Sequence, residues 1–178
     1  MRSIFLFCFL VFPVFTFASS WWILENSTCS GEWSYYTIQI PEGFTYLTNP
    51  NPCNTTDSFR IISADTTVEI GFEYSILQKS TVFTLQLPTD GEKLISQKKS
   101  SKKWKDEYGS PYKIYEEYGT IRGSSNTYDR SYYRKDVVGS NYRESVLFSY
   151  KYLTKAAYKN HRNDYLMMKQ SFSFHNWE

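Results

Sequence analysis

The chain has 178 residues, 41% hydrophobic, 19% aromatic and 21% charged, with a formal charge of +2 from 20 Lys and Arg against 18 Asp and Glu. That much apolar and aromatic material excludes a disordered tail, no glycine or proline repeat points to a fibre, and three cysteines cannot frame a disulfide-dense miniprotein. A near-neutral total also lacks the basic excess of nucleic-acid binders, which leaves one globular domain.

At the N-terminus, Arg2 precedes an apolar run from Ile4 to Phe17 that ends in Thr16-Phe17-Ala18. Small residues at −1 and −3 of a cut after Ala18 predict a secretory signal peptide. The run of about 14 residues falls short of the roughly 20 a membrane span needs, so no transmembrane span is expected in the mature chain. Cys8 lies behind the bulky Phe7 without the small residues of a lipobox, and no lipid anchor is expected either. Residues 1–18 are read as the signal peptide and 19–178 as a single exported domain, periplasmic or secreted. Removing 18 of 178 residues leaves 160, with 19 basic against 18 acidic side chains and all 16 Tyr and 5 Trp.

Export decides the cysteines. Cys29 and Cys53, the two that stay, are most simply a disulfide closing a loop of about 25 residues, worth roughly 3 kcal/mol. Asn26 and Asn54 head Asn-x-Thr sequons beside them, glycosylated in a eukaryotic secretory path and bare in a periplasm.

Strand patterns dominate the rest. Residues Thr37 to Ile40 alternate and stop at Pro41-Glu42-Gly43. Val68, Ile70, Phe72 and Tyr74 alternate with Thr67, Glu69, Gly71 and Glu73, the pattern of a strand with one buried face, and Phe59 to Ser63 is its expected hairpin partner. Val82 to Leu87 is an apolar stretch open to either strand or helix. A helix is predicted from about Glu92 to Tyr108, capped by Asp90, with Leu94, Ile95, Trp104 and Tyr108 near one side and five lysines solvated; a mobile basic loop is the rival reading. Arg143 to Leu153 is a predicted strand with Val146, Phe148, Tyr150 and Tyr152 on one face. Residues Tyr165 to Phe174 are predicted to be a second strand forming a hairpin or meander with it. Between them, Leu153 to His161 is expected to be a helical turn or a long loop.

Ile40 to Phe44 (IPEGF), the hairpin Phe59 to Tyr74, one helix, then strands with Gly123, Gly139 and the closing Leu166 to Phe172 together resemble the PsbP-like superfamily, which includes the exported bacterial protein DcrB and effector-loading chaperones. The resemblance spans roughly Ser34 to Phe174. It implies an α+β single domain, an antiparallel β-sheet flanked by one or two helices in a PsbP/DcrB-like sandwich, and a non-enzymatic binding role. It carries over no site residues. The lysine-rich helix, the tyrosine-rich stretch Tyr108 to Tyr133 and the cysteine pair depart from the family pattern.

No catalytic constellation emerges. There is no Gly-x-Ser-x-Gly elbow, and His161 beside Asp164 is short of the three or four ligands a metal site needs. Glu69 and Glu73 on one strand would lie about 13 Å apart, beyond the span glycoside hydrolysis uses. No enzyme activity and no cofactor are expected. Two constellations point to binding. Lys98 to Lys105 holds five lysines and Trp104, suited to an acidic partner; a solvated helix face is the alternative. Tyr128, Arg130, Tyr132 and Arg134 combine the residue types of interface hot spots; packing of tyrosines across neighbouring strands is the alternative. The leading expectation is a soluble exported protein-binding domain, an inhibitor or immunity-type protein occluding a toxin or hydrolase, with Tyr128, Arg130, Tyr132 and Arg134 foremost and Lys102, Lys103 and Trp104 next. A carbohydrate or cell-wall binder using exposed Tyr and Trp is the second, and a hydrolase with an unrecognised site the third. No nucleic-acid partner is expected.

Overall fold

The computed structural model describes residues 21–26, 34–48, 56–78, 88–105 and 109–176. Cys29, Cys53, the signal-peptide region and Val82 to Leu87 lie outside the described residues.

Seven strands form one antiparallel sheet in the order β3-β4-β5-β9-β8-β7-β6: β3 (Phe44–Thr48), β4 (Thr56–Ser63), β5 (Val68–Gln78), β6 (Lys93–Lys105), β7 (Pro111–Arg122), β8 (Asp129–Val138) and β9 (Tyr142–Tyr152). A smaller sheet has β2 (Ser34–Gln39) between β1 (Trp21–Asn26) and β10 (Ser173–Asn176). Among the described residues there is one α-helix, α1 (Lys155–Ser171), which connects β9 to β10. The architecture is the expected α+β single domain with an antiparallel sheet and a flanking helix.

The core follows from period-2 alternation. Phe59 and Ile61 of β4, Val68, Ile70, Phe72 and Tyr74 of β5, and Val146, Phe148 and Tyr150 of β9 point to one face, where Ala157, Tyr165 and Met168 of α1 and Ile38 of β2 meet them. Directly opposed Phe72 and Phe148 are 5.2 Å apart at their ring centroids, and Tyr165 stacks on Tyr150 at 5.0 Å. A second, smaller cluster of Ile121, Tyr132 and Leu147 sits on the opposite face.

The predicted β4–β5 hairpin is present. Its turn is held by Asp65, whose Oδ1 accepts from the Ser63 hydroxyl at 2.6 Å, the Thr67 amide at 3.1 Å and the Thr67 hydroxyl at 2.9 Å. The predicted strand from Arg143 is β9.

Two expectations are overturned. The segment predicted to be a helix from Glu92 is strand β6 over Lys93–Lys105, paired with β7 from Lys93↔Arg122 to Lys105↔Pro111. Every residue of β6 is exposed, so nothing demands the apolar alternation that would have marked it as a strand, and pairing with β7 overrides local propensity. Asp90 caps no helix; the chain turns at Gly91 (φ 78°), with the Glu92 amide donating to the Thr89 carbonyl at 3.0 Å.

The second concerns Tyr165 to Phe174, which is not a strand hairpinned to β9. It is the latter part of α1, followed by β10, which pairs with β2. Thr154 caps the helix by accepting from the Ala157 amide at 3.1 Å. The buried set Ala157, Tyr165 and Met168 has helical spacing; Leu166, Met168, Phe172 and Phe174 also fit a period of two, broken only at Gln170, which is why the stretch reads as a strand.

Candidate binding surface

The two groups of sequence-predicted binding residues occupy different settings. Tyr128, Arg130, Tyr132 and Arg134 come together along the sheet face away from α1, and their polar ends are engaged internally. The Tyr128 hydroxyl donates to Glu92 Oε1 at 2.7 Å, and Arg130 donates to the same oxygen at 2.6 Å. The Glu92 side chain is 1% exposed. Burial by itself would raise this carboxyl, but hydrogen bonds from Tyr128 and Thr89 and the Arg130 charge outweigh it and hold it below the usual range.

One strand-pair further along, Tyr132 donates to Glu117 Oε1 at 2.6 Å, and Gln97 Nε2 donates to the same oxygen at 2.8 Å. Burial and that carboxylate push the Tyr132 phenol up to about 12. Arg134 donates to Asp136 Oδ1 at 3.0 Å, while Arg143 and Ser145 reach the same carboxylate at 2.5 and 2.7 Å. Asp136 is 5% exposed; burial would raise it, but these three donors outweigh burial and lower it.

Both tyrosines also fill gaps left by glycines. A Cβ on Gly119, the residue opposite Tyr132, would run into the Tyr132 ring, and one on Gly123 would run into the Tyr128 ring. The hot-spot composition of this stretch is explained by carboxylates and glycines in the same sheet or flanking its strands, which local sequence could not reveal because Glu92 is distant along the chain.

Lys102, Lys103 and Trp104 are placed differently. They lie on the edge strand β6, and Trp104 is 57% exposed. Opposite Trp104 is Tyr112, and opposite Lys103 is Lys113, whose ammonium lies 4.5 Å above the Tyr115 ring. Lys103, Trp104, Tyr112, Tyr115 and Val138 border a groove of about 820 Å³ at this end of the sheet. Of six lysines on β6, Lys99 pairs with Glu117 at 3.5 Å; the other five make no ion pair among the described residues.

Sequence reasoning missed Lys169 on α1. Its ammonium lies 4.8 Å from the Tyr133 ring and 5.7 Å from the Tyr118 ring. Burial lowers its proton affinity, opposed by Glu116. A cavity of about 330 Å³ adjoins it, and the contact clamps the helix end to β7 and β8. His161, at the end of the stretch expected to be a helical turn or a long loop, lies on α1 with Nδ1 3.1 Å from Asp164 and Nε2 3.3 Å from Asp65.

No helix among the described residues is long and apolar enough to cross a membrane. No family model matches the chain. No curated protein matches it either. Among solved structures, the chain weakly resembles the solution structure of cyanobacterial PsbP (CyanoP) from Synechocystis sp. PCC 6803, at 12% identity and a TM-score of 0.43, over 89% of this chain and 94% of that one.

Proposed function

We propose that the chain is an exported, non-enzymatic protein-binding domain, an inhibitor or immunity-type protein whose β6–β7 end occludes an acidic face of a toxin or hydrolase. The observation that supports this reading is the exposed Trp104 beside Tyr112 and a groove, ringed by lysines that make no ion pair among the described residues. An exposed aromatic anchor supplies binding energy by excluding water, and the lysines steer an acidic partner into place. Tyr128, Arg130, Tyr132 and Arg134 drop behind Lys102, Lys103 and Trp104, because their polar groups already serve the sheet.

The test is a photo-cross-linking residue placed at position 104 of the full chain in the producing cell, with the same residue at Leu47 on β3 as control. A discrete adduct with one exported protein at 104 and none at 47 is expected. No protein adduct at 104 refutes the reading.

A second reading is a carbohydrate or cell-wall binder, favoured by Trp104, Tyr112 and Tyr115 around the groove, whose rings could stack on sugars. The described lining holds lysines and a serine but no carboxylate or amide side chain to grip hydroxyls, which ranks it second. Sedimentation of the chain with purified wall material, lost in Trp104→Ala, would promote it.

A further inference from the structure

We propose that β6 is a docking edge onto which an extended acidic segment of a partner protein adds as an eighth strand. The inference rests on the protein-binding reading above and specifies its mode and the partner's chemistry.

β6 ends the seven-stranded sheet and pairs with β7 alone among the described residues. At 13 residues it is long for an edge. Register slips once, between Leu94 and Ser96, and then runs unbroken from Ser96↔Thr120 to Lys105↔Pro111. Along that stretch every second residue turns its N–H and C=O away from β7, a template for strand addition.

Such an edge also invites self-association, and the usual protection is lysine. Here the lysines fix which strand is admitted. The segment KLISQKKSSKKWK carries six lysines and no acidic residue. A second copy of β6 would set lysines against lysines, which disfavours pairing between copies.

An acidic strand meets the opposite situation. Alternation sends Lys98 and Lys102 to the side of α1 and Lys99, Lys103 and Lys105 to the other. Acidic side chains on either face of the added strand therefore find an ammonium. A highly acidic segment does not fold by itself, so it arrives extended and unpaired. Trp104 projects on the same side as Lys102, and the adjoining groove can receive an apolar residue near one end of the segment. A lipid surface or an anionic polysaccharide would use the charges and leave the backbone edge idle.

The probe is a peptide of repeated Glu-Glu-Thr, which sets acidic side chains on both faces of an extended strand, as long as β6 and ending in Phe. It is compared with its backbone N-methylated form, with a version carrying Lys for Glu, and with polygalacturonate, on the full chain. Exchange of β6 amides is followed by NMR. Expected are binding of the acidic peptide, slowed exchange at every second amide between Ser96 and Lys105, and no binding of the N-methylated or Lys peptides. The combined Lys98→Ser, Lys102→Ser, Lys103→Ser change should weaken binding about tenfold, as expected for three exposed ion pairs, with thermal stability unchanged. Equal binding of the N-methylated peptide, binding without alternate protection, absence of binding, or equal binding of polygalacturonate each overturns strand addition. Those results leave the cross-linking experiment at position 104 as the separate judge of the protein-binding reading.

Discussion

The Tyr132 ring lies over Gly119, its directly opposed residue on β7, and the phenol reaches past it to Glu117. Tyr132 is 3% exposed and packed with Ile121 and Leu147, so the ring has nowhere to retreat. Gly119→Ala should therefore destabilise the fold by about 1–3 kcal/mol through overpacking. Urea unfolding would check it. Relief of that loss in Gly119→Ala combined with Tyr132→Ala, relative to the sum of the single changes, would trace it to this contact.

Asp136 should make the fold sensitive to acid. Its folded proton affinity is lowered, with the Arg143, Arg134 and Ser145 donors outweighing burial. The unfolded chain therefore binds this proton first, and the stabilisation is present above the ordinary carboxylate range and lost as pH falls through the lower, folded value. Glu73 and Glu144, raised by burial against the nearby charges of Arg134 and Lys135, act in the opposite sense at higher pH. Their protonation relieves a penalty before the Asp136 loss sets in. Asp136→Asn should cost about 3 kcal/mol at neutral pH by leaving two arginines unmatched, the low end for a broken buried pair because both arginines keep some solvent contact, and should flatten the acid limb of urea midpoint against pH.

His161 should produce a separate step near neutrality. Burial lowers its proton affinity, but hydrogen bonds to Asp164 and Asp65 outweigh it and raise the group above its ordinary value. The sign is that of a cation gained on folding: the stabilisation is complete below the unfolded value and lost as pH rises through the folded one. The charged ring ties α1 to the β4–β5 turn. In His161→Gln this step in thermal midpoint, which lies above the ordinary histidine value, should vanish; NMR titration of the ring would give the raised value directly.

Trp104→Ala should leave the folded state almost untouched. The side chain is more than half exposed on an edge strand, and surface changes of this kind stay within about 0.5 kcal/mol. Partner capture should fall in the same variant. A fall in thermal midpoint as large as that of Gly119→Ala would instead show Trp104 to be structural.

The strands with one dry face were legible in sequence because burial writes a period of two. Val68 to Tyr74 and Val146 to Tyr152 could be read directly. β6 could not, because both its faces are wet and its strand character comes from β7 across a turn. α1 was obscured for a different reason: its buried stripe passes through Ala157 and Tyr165, while Met168 and Phe172 also fit an alternation. At the candidate surface, Lys102, Lys103 and Trp104 were visible as a local cluster. The internal engagement of Tyr128 and Arg130 depended on Glu92, 36 and 38 positions away, a separation that no local pattern encodes.

The strand order has a consequence for how the chain acquires its shape. Strands β3 to β5 are sequential neighbours, as are β6 to β9, but the seam between the two groups joins Val68 to Tyr152 and Gln78 to Tyr142. Closing it holds a long stretch of chain in a loop, the costly kind of contact in forming a sheet. Phe172, just after α1, lies 5.4 Å from Phe72 on one side of the seam and 5.9 Å from Phe148 on the other. During synthesis that ring leaves the ribosome after every strand of the large sheet. The two halves can each form early as local meanders, while the residue that straddles their junction is made after both, so their joining waits on the segment that follows them.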